Sequence, residues 1–150
     1  MTLEEKINAD IKSAMLAKES QKLEALRAIK SAVLLAQTAS GGSADLSDEE
    51  AIKLLQRLVK QRKDSAALYK EQNRTDLAEP EEAQAEIIEA FLPTQLLAEE
   101  LAQAVNAVIQ STGASGMQDM GKVMGVVSKQ LAGKAEGKRI ADEVKKQLGA

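Results

Sequence analysis

The chain has 150 residues, 20 basic against 23 acidic side chains for a net charge of −3, and 44% hydrophobic residues. That length holds one domain or two small ones and buries enough surface to fold without a metal or a disulfide. Cysteine, histidine and tryptophan are absent, which excludes disulfides, thiolate nucleophiles, imidazole bases and Cys- or His-ligated metals.

Tyr69 and Phe91 are the only aromatic residues. The core must then be built from aliphatic side chains, which suits packed helices better than a sheet. The fold class expected is all-α. The same scarcity disfavours a site that stacks unpaired bases on rings. The longest apolar run, from Ala32 to Ala36, is too short to cross a bilayer, so no membrane partner is expected. Met1 to Lys18 reads as an amphipathic helix and not as an apolar leader, which gives a cytoplasmic expectation. No cofactor and no metal is expected.

In chain order, Thr2 and Glu5 have capping-box spacing and start a first helix, with Leu3, Ile7, Ile11 and Met15 as its apolar stripe. A second helix begins near Ser20. Leu23, Leu26, Ile29 and Val33 form its inner face, and Ala25, Ala28, Ala32 and Ala36 permit close approach. Ser40-Gly41-Gly42-Ser43 ends it. Ser47 and Glu50 form a second capping box, and Asp48, Glu49 and Glu50 suit the positive end of the helix dipole. The third helix runs to about Gln72, with Ile52, Leu55, Leu58, Val59 and Leu68 as core. A fourth covers part of 75–92. Pro80 leaves its start open, because proline fits a first turn and removes a hydrogen bond further in. Pro93 marks the best boundary, dividing the chain into 1–92 and 93–150. Helix five spans about 98–112, with Leu97, Leu101, Val105 and Val108 inward and Gly113 as cap. Helix six spans about 116–131, with Met117, Met120, Met124, Val127 and Leu131 on one side, and Gly133 closes it. Helix seven spans about 137–148, with Ile140, Val144 and Leu148 at four-residue spacing.

Charge is uneven. Residues 1–112 carry 13 basic and 19 acidic side chains, and residues 113–150 carry 7 basic and 4 acidic. The chain is therefore no bulk polyanion binder, yet its C-terminal end is locally basic.

Three constellations stand out. In Asp119-Met120-Gly121-Lys122-Val123-Met124-Gly125, two glycines four apart share a helical face. Each costs about 0.5–1 kcal/mol relative to alanine. Either another helix approaches closely there, or the face is kept smooth for a backbone such as that of RNA. In Gly133-Lys134-Ala135-Glu136-Gly137-Lys138, a turn with two lysines precedes a helix start that attracts anions. With Lys122, Lys129 and Arg139 it makes a candidate phosphate-contacting surface; an ordinary glycine cap with solvated lysines reads equally well. In the third helix, Lys53, Arg57 and Lys60 share one face, with Arg62 and Lys63 beside them. This is either a solvated face or a contact for RNA or for an acidic partner surface; the acidic helix from Glu79 to Glu89 is a candidate intramolecular partner. No Ser-x-x-Lys occurs, the acidic pairs sit at helix starts, and no nucleophile has an obvious base. The chain is not expected to be catalytic by itself.

Taken together, Leu26-Arg27, Lys60-Gln61-Arg62-Lys63-Asp64-Ser65, Asn73-Arg74-Thr75-Asp76-Leu77-Ala78, Phe91-Leu92-Pro93-Thr94-Gln95-Leu96 and the two glycine-containing blocks above resemble, in order and over nearly the whole chain, the YqeY family. The resemblance implies a four-helix N-terminal part ending near Leu92 and a three-helix C-terminal part similar to the tail of GatB. GatB is a subunit of the enzyme that amidates Glu or Asp mischarged on tRNA, and its tail helps hold the tRNA. The label of a carbon–nitrogen ligase with glutamine as amido donor follows through that shared tail; no catalytic residue here supports it. The expectation is a tRNA-associated accessory protein. Lys122, Lys129, Lys134, Lys138 and Arg139 would contact RNA, with Gly121 and Gly125 allowing close approach. The rival is a helical module without an RNA role. It would dock a protein partner, from tRNA or glutamine metabolism, on Lys53, Arg57, Lys60, Arg62 and Lys63.

Overall fold

The computed structural model describes residues 2–39, 41 and 46–149. Among them there are seven α-helices and no strand: α1 Leu3–Ala17, α2 Ser20–Ala39, α3 Asp48–Glu71, α4 Thr75–Glu89, α5 Ala98–Thr112, α6 Met120–Gln130 and α7 Gly137–Gly149, with a 3-10 turn Met117–Asp119 before α6. The chain divides into two compact units, Met1–Leu92 and Pro93–Ala150. Of the expected loop at 40–43, Gly41 is left-handed at φ 78°; Ser40, Gly42 and Ser43 lie outside the described residues.

The first unit is built from two helical hairpins. Thr2 caps α1, accepting from the Glu5 amide while the Glu5 carboxylate accepts from the Thr2 amide. Lys18 then turns the chain in the left-handed region at φ 58°. Ile7, Ala25, Ile29, Val33, Leu54, Leu55, Leu58, Val59, Ala85 and Ile88 form its core. The stripe read along α1 fails at its end, because Met15 is 55% exposed and Ala14 is buried in its place. Four-residue spacing drifts by about 40° per step, so three steps carry a side chain about 120° off the starting face. Leu68 is exposed as well, while Leu54, absent from the expected core, is buried.

α3 and α4 pair most extensively, and their seam carries ion pairs: Lys63 with Glu89 at 3.0 Å, and Lys70 with Glu82. α4 starts at Thr75, so Pro80 lies inside the helix and not in its first turn. Its missing N–H leaves the Asp76 carbonyl without its helical donor; both residues are exposed, so water can replace it. The start is fixed upstream, where Asn73 adopts φ 59° and Arg74 donates from Nε and Nη2 to the Asp76 carboxylate, both at 3.0 Å.

Two carboxylates are held below the ordinary range: Asp76 by the Arg74 guanidinium and Glu50 by hydrogen bonds from Ser47. A depressed folded pKa gives stability that is complete above the unfolded pKa and is lost as pH falls through the folded one. Asp76→Asn combined with Ser47→Ala is expected to lower stability at neutral pH, and the gap from the parent should narrow toward about pH 3. Urea unfolding at the two pH values measures this; a constant gap would show that these carboxylates carry no linked stability.

The second unit packs α5, α6 and α7 around Leu101, Val105, Val108, Val123, Val127, Leu131, Ala135, Ile140, Val144 and Leu148. Gly113 caps α5 in the left-handed region at φ 69°. Leu97 does not point inward as expected but is 70% exposed; it lies just outside α5, where its amide donates to the Glu100 carboxylate at 2.9 Å. α6 is shorter than the sequence suggests. The turn Met117–Asp119 precedes it, Met117 is exposed, and Val123 and Val127 are its buried residues, with Met120 and Met124 packed alongside.

Candidate nucleic-acid interface

Gly121 and Gly125 both face solvent. A Cβ built on either would meet nothing within 4 Å. Close helix packing, one of the two readings of the pair, therefore does not explain them. Lys122, Gly125 and Lys129 recur at spacings of three and four and form one exposed line along α6, with Gly121 beside it. Lys122 Nζ also reaches the Thr112 carbonyl at 3.4 Å, where a cation suits the C-terminal end of α5. Lys129 stands in the last turn of α6.

The turn after α6 has a structural role that the sequence did not disclose. Gln95 Nε2 donates to the Gly133 carbonyl at 2.7 Å and to the Pro93 carbonyl at 2.8 Å. The Leu96 amide donates to the Lys134 carbonyl at 2.8 Å, and Arg139 Nη2 donates to the Leu96 carbonyl at 2.9 Å. Gln95 and Leu96 and the turn at 133–134, noted in separate blocks of the sequence, are thus partners: the segment after Pro93 is strapped to the turn. Gly133 takes φ 78° to make that turn. Arg139, half-buried and spent on the strap, is a positioning residue first, whereas the side chains of Lys134 and Lys138 are exposed.

Lys138 lies in the first turn of α7, and the Glu136 backbone carbonyl accepts from the Ile140 amide at 3.1 Å. With the Glu136 carboxylate at that helix start, the attraction for an anion must come from the lysines more than from the dipole. Lys145 and Lys146, exposed further along α7, extend the basic surface. They entered the charge count of the sequence but had no glycine motif to single them out.

The five cations of α3 are largely engaged within the chain. Lys53 pairs with Glu49 at 3.4 Å, Lys60 with Asp64 at 2.8 Å and Lys63 with Glu89 at 3.0 Å. Arg62 donates to Gln84 Oε1 at 3.1 Å and to the Leu58 carbonyl at 3.2 Å. Arg57 is exposed and, among the described residues, forms no ion pair. Among the described residues no group of three or more acidic residues is placed to hold a metal, and no helix is long and apolar enough to cross a membrane.

A family profile described as Yqey-like protein matches residues 4–148. Curated relatives carry the name "Altered inheritance of mitochondria protein 41, mitochondrial". That of Clavispora lusitaniae is 35% identical over 86 residues, covering 57% of this chain and 49% of that protein. That of Pyrenophora tritici-repentis is 25% identical over 150 residues, covering 97% and 80%. That of Meyerozyma guilliermondii is 37% identical over 89 residues, covering 57% and 44%. The chain thus spans about half the length of the Clavispora and Meyerozyma relatives. The name of these relatives assigns them to mitochondria, which overturns the cytoplasmic expectation. An amphipathic helix such as Leu3–Ala17 does not discriminate between those compartments.

Proposed function

The chain belongs to the Yqey-like protein family, and from that premise we propose that it is a tRNA-associated accessory protein whose second unit lies against folded RNA. The observation that carries this reading is the pair Gly121 and Gly125, exposed on α6 with open space where their side chains would be. Two glycines inside a helix cost roughly 1–2 kcal/mol together, and packing within the chain gives no return for it. A surface without side chains lets a ribose–phosphate backbone approach the helix, and Lys122 and Lys129 on the same exposed line supply counter-charge. Lys134 and Lys138 add to it from the following turn.

With two aromatics in the chain, neither on this surface, stacking is a poor mode of recognition. Phosphate and 2′-hydroxyl contacts that read shape fit better. The likeness of the C-terminal part to the GatB tail supports the same reading. The amide-transfer label has no supporting residues and forms no part of it.

Charge reversal at Lys134 and Lys138 together is expected to weaken tRNA binding at least about tenfold at low salt, while reversal at Lys53 and Arg57 leaves it unchanged. Filter binding of purified variants to total tRNA measures both. Equal affinity of the Lys134/Lys138 variant and the parent would sink the assignment.

A further inference from the structure

The first unit carries a second surface that the RNA reading does not use. α3 packs chiefly on α4 and touches α2 only sparsely. The α2–α3 seam is open near the end of α2, as a groove of about 230 Å³ lined by Ala36, Leu46, Glu50, Lys53, Leu54 and Arg57. Its floor is aliphatic. Ala36 presents only a methyl group to it. One wall carries Lys53 and Arg57, a helical turn apart. Glu50 shares that wall, its carboxylate accepting from the Ser47 amide at 2.9 Å and the Ser47 hydroxyl at 3.1 Å as part of the α3 cap, and its single charge offsets only one of the two cations. Lys53 pairs with Glu49, and the two side chains are 73% and 77% exposed; such pairs contribute little and exchange readily.

From this geometry we infer that the groove docks an acidic segment of a protein partner, with a leucine-sized side chain seated on Ala36, Leu46 and Leu54 and carboxylates facing Lys53 and Arg57. The volume exceeds what one aliphatic side chain needs, and an open groove with two cations against one carboxylate suits an amphipathic helix laid along the seam. Nucleic acid fits less well, since nothing in the groove stacks a base and its floor is apolar. The other cations of α3, Lys60, Arg62 and Lys63, do not line this groove.

The probe is a short fluorescein-labelled leucine–glutamate peptide with leucines at helical spacing, and its twin with lysine for every glutamate, titrated by fluorescence anisotropy against the full chain. The acidic peptide should bind and its lysine twin should not. Arg57→Glu should weaken binding at least about tenfold, and Ala36→Trp should abolish it by filling the floor. Arg57 is exposed, so its variant stays folded even if the tryptophan variant does not. Failure of the acidic peptide to bind, equal binding of the lysine twin, or full binding by Arg57→Glu would overturn the inference. So would concentration-dependent sedimentation of the chain alone that Arg57→Glu abolishes, which would make a second copy the occupant. Loss of tRNA binding in Arg57→Glu would overturn it too, by making the occupant a nucleic acid.

Discussion

Alanine at both Gly121 and Gly125 is expected to stabilise the second unit by about 1–2 kcal/mol while weakening its hold on tRNA. The stability half follows from helix propensity. Glycine loses more backbone freedom than alanine when a helix forms, and a methyl group at either position meets nothing within 4 Å. In a unit this small the unfolding midpoint should rise by several degrees. The binding half follows from the proposed contact, in which each added methyl stands between the helix and the RNA backbone. Leucine at both sites should cost at least about tenfold in affinity, again without loss of fold. Thermal melts and tRNA titrations on the same preparations separate the two effects. Higher stability with unchanged RNA affinity would mean that the glycines serve something other than RNA approach.

The second large effect separates Arg139 from the two lysines that the sequence grouped with it. Arg139→Ala removes the donor to the Leu96 carbonyl, leaving a half-buried acceptor without its partner, which costs about 1–3 kcal/mol. The melting temperature of the second unit should fall. Lys134→Ala and Lys138→Ala should leave it within about 0.5 kcal/mol of the parent, because both side chains are exposed. The ordering for tRNA affinity at a temperature where all variants are folded is the reverse, with the lysines mattering more. An Arg139→Lys variant should recover only part of the stability, since an ammonium does not reproduce the planar donor geometry of the guanidinium.

Much of the helical architecture was legible because its signals are local. Thr2 with Glu5 and Ser47 with Glu50 form the expected capping boxes, and Gly113 caps α5. Ile140, Val144 and Leu148 are buried as their spacing implies. What failed depends on which neighbour a helix face meets. Four-residue spacing carried Met15 off the core, and Leu97 was assigned to an inner face although it only precedes the helix. Pro80 is hard to place because the signal that starts α4 is the Arg74–Asp76 clamp upstream of it, which no capping rule describes.

The candidate site was legible in composition and not in role. The glycine pair and the lysines were visible as motifs, but whether the glycines faced a helix or solvent depends on how α6 is rotated against α5 and α7. The strap from Gln95 and Leu96 to the 133–138 turn joins residues roughly forty positions apart, so no local pattern could reveal it. It turns Arg139 from a presumed RNA contact into a residue that holds the turn bearing Lys134 and Lys138.

The most direct test of the central claim is a titration of the purified protein with total tRNA, beside a duplex RNA control, across a salt series. The account predicts binding at low salt with preference for tRNA, and a log–log salt slope of about −3 to −4, as expected if the four exposed lysines each displace a counterion. No binding at low salt, or binding with a flat salt response, would contradict it and would leave the α2–α3 groove as the surface to pursue.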